Sequence, residues 1–277
     1  MAEFIKDVDF GVMESNLLKY DGGEIFLSKE YFEEGIAIIY LNHPRKRNAI
    51  SGKMMVDFRR CLNELEEWKE GKSVLLCGLG SNFCSGGDLD FARSAGTPKE
   101  GYYMSCIMQD ILKRFRGLPL ITVSLLHGPT LGGGAEISIF SDYILVADNA
   151  QIGFVQGNMG LITAFGGTTR LVQLIGERKA MEMLLTSKVY SAEECISISL
   201  ADKIVNTSSK MEEALNFIKQ FIVHDCTIIH NYKRVLAFGL SNNFEKSLDV
   251  ERDLFYPTWG SELNRNALAK HIRHITK

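Results

Sequence analysis

The chain has 277 residues, 45% hydrophobic and 23% charged, with a formal net charge of -3 and a pI near 6.1. This composition excludes a disordered, collagenous or coiled-coil chain, leaves length for one sizeable core, and gives no general basic field for nucleic acid. The two long uncharged stretches, residues 117–135 and 149–169, each carry five glycines among polar residues, so neither predicts a membrane-spanning helix.

Residues 1–20 hold Glu3, Asp7 and Asp9 and no apolar run, which predicts no leader. Residues 36–41 (IAIIYL) predict a buried strand, ended by Asn42-His43-Pro44. Ser51 then caps a predicted helix reaching about residue 70, with Met55, Phe58, Leu62, Leu65 and Trp68 at three- and four-residue spacing. Residues 73–78 (SVLLCG) predict the next strand, followed by a loop rich in Gly and Ser over 78–87. The alternation continues with a helix over 103–115, a strand over 120–125, a helix over 135–140 opened by three glycines, and a strand over 143–146. Helices follow over 168–175 and 178–185 with Gly176 between them, then a Ser191-capped helix to 200 and a last strand over 203–205. From Ser209 onward the pattern is helical only. Strand and helix in alternation argue for an α/β fold with parallel pairing. The division expected is a core over 1–205 and a helical region over 206–277.

Cys61, Cys77, Cys84, Cys106, Cys195 and Cys226 are scattered with no C-x-x-C pair, so they predict reduced thiols in a cytosolic protein. The six histidines have no ligand spacing, and no metal is expected.

Two glycine-rich segments carry candidate chemistry. Residues 83–89, FCSGGDL, follow a strand, and their glycines permit close backbone approach and an N–H aimed at an oxyanion. Residues 131–136, LGGGAE, open a helix, where Glu136 sits in the first turn and the dipole favours its ionised form. Alone, the first fits a plain tight turn and the second a packing device. Together, in this order, they resemble the crotonase (enoyl-CoA hydratase/isomerase) superfamily. The resemblance runs from about Glu34 to the carboxyl terminus and includes LNHPRKRNAIS (41–51), GGTTRL (166–171) and AMEMLLTSKVYSAEEC (180–195).

That resemblance implies a ββα spiral core with a helical carboxyl-terminal arm, assembled as a homotrimer or homohexamer. It implies an acyl-CoA substrate, with coenzyme A part of the substrate and no separate cofactor. The thioester oxygen, as it becomes an enolate, is expected on the N–H groups of Gly87 and Gly133. The resemblance further implies nucleotide contacts from Arg45 and Lys46, an adenine contact from the Ser85 carbonyl, and substrate contacts from Asp88 and Leu89. Phe255 matches an aromatic residue that packs on the nucleotide from a neighbouring subunit.

One departure is informative. Family hydratases carry two glutamates. The first matches Glu136, and the second falls at Gln156, which has no titratable carboxylate. A narrower resemblance, through EWKEGK (67–72), Gly96-Thr97-Pro98, FVQGNMGLI (154–162) and ERDL…WG (251–260), is to the ethylmalonyl-CoA decarboxylases of this superfamily. There a histidine usually stands at the position of Gln156, a serine at Gly87 and a proline at Thr163. The expected reaction is decarboxylation of ethylmalonyl-CoA or methylmalonyl-CoA, with Glu136 as a catalytic residue that orients the substrate or relays the proton to the α-carbon. Hydration or thioester hydrolysis with Glu136 activating water, and a non-catalytic acyl-CoA-binding role, are the alternatives.

Overall fold

The structure, a computed structural model, describes residues 9–94, 97–239, 244–259 and 261–268. Gly96 and Gly260 of the narrower motifs lie outside the described residues, as do residues 1–8 of the amino-terminal stretch and residues 269–277 of the helical region.

Asp9 caps α1 (Phe10–Leu17), its carboxylate accepting the Gly11 and Val12 N–H groups. β1 (Glu24–Ser28) pairs antiparallel with β2 (Ile36–Asn42), the first predicted strand. Ser51 caps α2 (Gly52–Glu67), its Oγ accepting from Met54 N at 3.2 Å. α2 ends at Glu67 rather than near 70 because Trp68 turns out of the helix and stacks on Phe32, ring centroids 4.0 Å apart. β3 (Ser73–Gly78) has the predicted bounds, and the short α3 (Leu89–Ser94) follows the first glycine loop. α4 (Pro98–Gly117) begins earlier than the predicted 103, because Thr97 and Glu100 form a capping box with Pro98 at the first helical position.

β4 (Ile121–Leu126), β5 (Pro129–Leu131), α5 (Gly133–Ser138), β6 (Tyr143–Ala147) and β7 (Gln151–Gly153) come next. α6 (Gly167–Ile175), α7 (Glu177–Thr186), β8 (Val189–Ser191), α8 (Ala192–Ser197) and β9 (Lys203–Val205) complete the strand-bearing part. After β9 the described elements are the helices α9 (Lys210–Lys219), α10 (Cys226–Gly239), α11 (Phe244–Phe255) and α12 (Glu262–Leu268).

The main sheet has the order β1-β2-β3-β4-β6-β9 and is parallel except for β1. A smaller sheet, β5-β7-β8, joins a parallel and an antiparallel pair. Alternation along the main strands feeds two cores. Ala37, Ile39, Leu41, Val74, Leu76 and Leu126 face the helices α2 and α4, while Ile36, Ile38, Leu75, Cys77, Val123 and Leu125 face α9 and the start of α10. Both faces are covered, which is why these strands read as unbroken apolar runs. The loops after β3 and β4 leave the carboxyl ends of neighbouring parallel strands, and this brings the two glycine motifs together. Among the described residues no helix is long and apolar enough to cross a membrane, and no cluster of three His, Cys, Asp or Glu could hold a metal ion.

Candidate active site

The two glycine loops pack backbone against backbone. Leu131 N donates to Cys84 O at 3.0 Å, and a Cβ on Gly134 would lie 2.3 Å from that same oxygen. A Cβ on Gly86, whose φ is +109°, would lie 3.1 Å from Leu131 O and 3.5 Å from Gly133 N. No side chain fits between the loops. On its other side the first loop runs beside Ile50, with Ile50 N donating to Gly86 O at 2.8 Å and Asp88 N to Ile50 O at 2.9 Å. Those bonds use the groups flanking Gly87, so its N–H is turned away from Ile50. Gly133 is the first residue of α5, where a helix has no internal acceptor to offer. Among the described residues neither the Gly87 nor the Gly133 N–H donates to the protein.

The Glu136 carboxylate, on the helix that Gly133 opens, is 1% exposed and fully engaged. Oε2 accepts from Phe165 N and Gly167 N, each at 2.8 Å, and Oε1 accepts from Gln156 Nε2 at 2.9 Å and Ala164 N at 3.3 Å. Burial holds its pKa above the usual carboxylate value, against the pull of the four N–H donors. Every contact is a donor, so the geometry suits the ionised form. Gly167 opens α6, whose N-cap Gly166 has no side chain to offer, and Glu136 supplies the missing acceptor from another element. A Cβ on Gly167 would meet the Glu136 carboxylate oxygen at 2.7 Å, which explains the second glycine of GGTTRL. The loop is held from behind as well, since Ser105 Oγ and Gln109 Nε2 of α4 donate to Ala164 O at 2.6 and 3.0 Å.

Gln156 is buried against the same centre, where the acceptor-only Glu136 fixes its amide orientation. Its Nε2 faces Glu136, and its Oε1 is buried without a partner among the described residues. The amide lies beside the second loop, its Cδ 3.9 Å from a Cβ placed on Gly132. Asp88 is buried at the end of the first loop, while Leu89 is 54% exposed at its rim. Lys46 Nζ binds Asp88 at 2.7 Å and Asp90 at 2.9 Å, so its charge is already engaged. Those contacts hold Asp88 below the usual carboxylate range although burial opposes them. The side chains of Arg45 and Arg47 are exposed and make no hydrogen bond or ion pair among the described residues. Ser85 donates its hydroxyl to Lys46 O at 3.2 Å and its N–H to Arg47 O at 3.0 Å, which ties the basic turn to the glycine loop. Phe255 lies on α11, 53% exposed with its ring 5.6 Å from Trp259, and its own chain does not bring it to the glycine loops among the described residues. The Cys84 thiol is pushed up to about 12 by burial, which leaves it protonated and inert.

Sequence reasoning missed Asn48 and the 164–167 loop. Asn48, buried with φ +57°, donates to Leu79 O at 2.9 Å and Asn82 O at 2.7 Å, bracing the first glycine loop. An asparagine after a strand-ending turn was its only signal. The glycine pair opening α6 without a side-chain cap was the signal for the acceptor that Glu136 provides.

Comparison with known proteins agrees with this geometry. The Enoyl-CoA hydratase/isomerase family model matches residues 31–272. Ethylmalonyl-CoA decarboxylase of Homo sapiens is 38% identical over 261 residues, 93% of this chain and 84% of that protein. The Xenopus laevis enzyme of the same name is 34% identical over 264 residues, 95% of this chain and 88% of that protein. Among solved structures, enoyl-CoA hydratase from Bacillus anthracis superposes with a TM-score of 0.82 at 22% identity, covering 89% of this chain and 95% of that one. The family match, the relatives and the shared spiral architecture agree: the chain belongs to the enoyl-CoA hydratase/isomerase family.

Proposed function

We propose that this enzyme is a carboxy-lyase that releases CO₂ from a carboxylated short-chain acyl-CoA, ethylmalonyl-CoA or methylmalonyl-CoA. The observation that carries the reading is the pairing of two unengaged backbone donors with a carboxylate that has no acid partner. The C–C bond to the substrate carboxylate breaks, and its electron pair passes through the α-carbon onto the thioester oxygen. The Gly87 and Gly133 N–H groups hold that oxygen as charge grows on it. A solvent proton then goes to the α-carbon. Preorganised donors of this kind are worth about 10²–10³ in rate each. Glu136 acts by position. It holds Gln156 and the 164–167 loop in place, and its buried negative charge disfavours a second carboxylate nearby. Hydration needs a general acid and base working together on water, and the amide of Gln156 supplies neither. The similarity to decarboxylases over most of both chains supports the same reaction.

In this reading Arg45 and Arg47 meet the nucleotide phosphates, and Lys46 acts through Asp88 and Asp90. Ser85 and Leu89 border the thioester channel, and Phe255 reaches the nucleotide of a neighbouring copy in a homotrimer or homohexamer in the cytosol. The exposed Leu248, Phe255, Tyr256 and Trp259 of the carboxyl-terminal helices support such an assembly. No cofactor beyond the substrate's own coenzyme A enters the scheme. The test is turnover of an acyl-CoA panel with CO₂ release and hydration followed separately. CO₂ from ethylmalonyl-CoA or methylmalonyl-CoA with little hydration of crotonyl-CoA is expected, and rapid crotonyl-CoA hydration without CO₂ release overturns the assignment.

A further inference from the structure

A second constellation lies apart from the glycine loops. The last turn of α4, the amino ends of β4 and β6, the first turns of α6 and the middle of α10 enclose a cavity of about 430 Å³. Arg116, Arg170 and Lys233 all line it, and Asp142 is the single acid among its described lining residues. Asp142 is spent on other partners. Its carboxylate pairs with Lys233, and its Oδ2 also accepts from Thr122 N at 2.8 Å and Thr122 Oγ1 at 3.0 Å. Two guanidiniums are left over. Arg170 donates Nε to Ile139 O at 2.9 Å and Nη1 to Gln173 Oε1 at 3.4 Å, and has no ion pair among the described residues. Arg116 has neither a hydrogen bond nor an ion pair among the described residues. Burial, and next the charge of Arg116, push Arg170 down to about 10 against the opposing pull of Asp142. Phe221 and Tyr143 supply an aromatic wall, their rings 4.7 Å apart.

Two guanidiniums lining one cavity, neither of them in an ion pair among the described residues and sharing only the more distant charge of Asp142, match the several oxygens of one dianion better than any neutral group. We propose that this cavity binds an organic phosphate, its phosphoryl oxygens between Arg116 and Arg170 and its apolar part against Phe221 and Tyr143. The site is independent of the decarboxylation reading, since none of these residues touches Glu136 or the glycine loops.

The test is calorimetric titration of the whole chain at constant ionic strength with phenyl phosphate and with inorganic phosphate. Phenyl phosphate is expected to bind the tighter of the two. Arg116→Gln should weaken it roughly tenfold or more, as expected for a lost charge-assisted contact, with CO₂ release unchanged. Arg116→Lys, which keeps the charge and loses the fork, should fall between. A double Arg45→Ala, Arg47→Ala variant should bind phenyl phosphate as the parent does, and loss there instead would move the site to the glycine loop and overturn the proposal. Inorganic phosphate binding as tightly as phenyl phosphate would also overturn it, in favour of a bare ion. So would absence of binding in the parent together with dissociation of an oligomer by Arg116→Gln, which would give the cavity to an acidic side chain of a second copy.

Discussion

The two glycine loops offer the same group, one unengaged N–H each, from opposite kinds of surroundings. Around Gly133 everything is filled. A Cβ there would lie 2.7 Å from the Phe165 ring, and the helix it opens is tied through Glu136 to four donors. Around Gly87 there is space. A Cβ there would meet nothing within 4 Å, and its φ is outside the left-handed region. Glycine is therefore a steric necessity in the second loop and, at position 87, only a choice. The two donors are equal in chemistry and unequal in tolerance.

The largest break in this contrast comes from the support of the tight loop. Glu136→Gln turns one acceptor oxygen into a donor, which faces the Phe165 and Gly167 N–H groups at the Oε2 position, or the Ala164 N–H at the Oε1 position, where Gln156 can flip its amide to accept. Stranding buried donors costs about 1–3 kcal/mol for each group. Melting followed by circular dichroism should show a fall of roughly 5 °C or more. CO₂ release should fall by about 10³, since the Gly133 donor loses its frame. A variant with unchanged melting and full turnover would remove Glu136 from both roles.

Next is Gly133→Ala, which keeps the N–H and adds one methyl group against Phe165. The ring is 4% exposed and cannot swing out, so α5 must shift instead. The expected loss in kcat is about 10², with a much smaller change in KM, because in the proposed reaction the contact to the oxyanion matters most in the transition state. Equal losses in both loops on methyl addition would contradict the contrast.

These same residues show what the sequence could and could not convey. Strands buried on both faces leave runs such as IAIIYL and SVLLCG, and Ser51, Gly176 and Ser191 mark helix ends through their own chemistry, so β2, β3, α2, α6, α7 and α8 were legible. The three-residue β5, β7 and β8 are too short to show a period of two, and β1 has a mixed burial pattern, so the small sheet and the antiparallel edge were not. At the site, both glycine motifs, Glu136 and Gln156 stood out as residues. The donors to Glu136 did not, because Phe165 and Gly167 serve through backbone N–H groups that every residue but proline carries. Their meeting with Glu136 comes from tertiary structure. Lys46 shows the reverse failure, since its charge was visible and its engagement by Asp88 and Asp90 was not.

Gln156→Glu has a smaller expected effect, in the opposite direction for a different reaction. It places a second carboxyl group 2.9 Å from Glu136 Oε1, where the two acids must share a proton. General acid–base pairs contribute about 10²–10⁴ in rate, and an imperfectly placed new pair should give crotonyl-CoA hydration roughly tenfold above the parent. CO₂ release should fall by about the same factor. Hydration unchanged from the parent would mean that the amide at 156 is not what sets the reaction type.

The smallest effect is expected at the open loop. Gly87→Ser adds a side chain where nothing lies within 4 Å, at a residue whose φ suits any amino acid. The N–H stays in place, because the flanking bonds from Asp88 N to Ile50 O and from Ile50 N to Gly86 O do not involve the new atoms. Restricting the unfolded chain at a compatible glycine is itself worth about 0.4–1 kcal/mol in favour of the folded state. The expected outcome is therefore a melting temperature at or slightly above the parent's and kcat for CO₂ release within about threefold, against about 10² for Gly133→Ala. Both variants add a β-carbon to a glycine that donates through its backbone, the serine adding a hydroxyl besides, so side-by-side kinetics, with Gly87→Ala as the methyl-only control, compare their surroundings. A loss at Gly87→Ser as large as that at Gly133→Ala would mean that substrate fills the open space beside Gly87, and the loop would then be as constrained in the working complex as its partner.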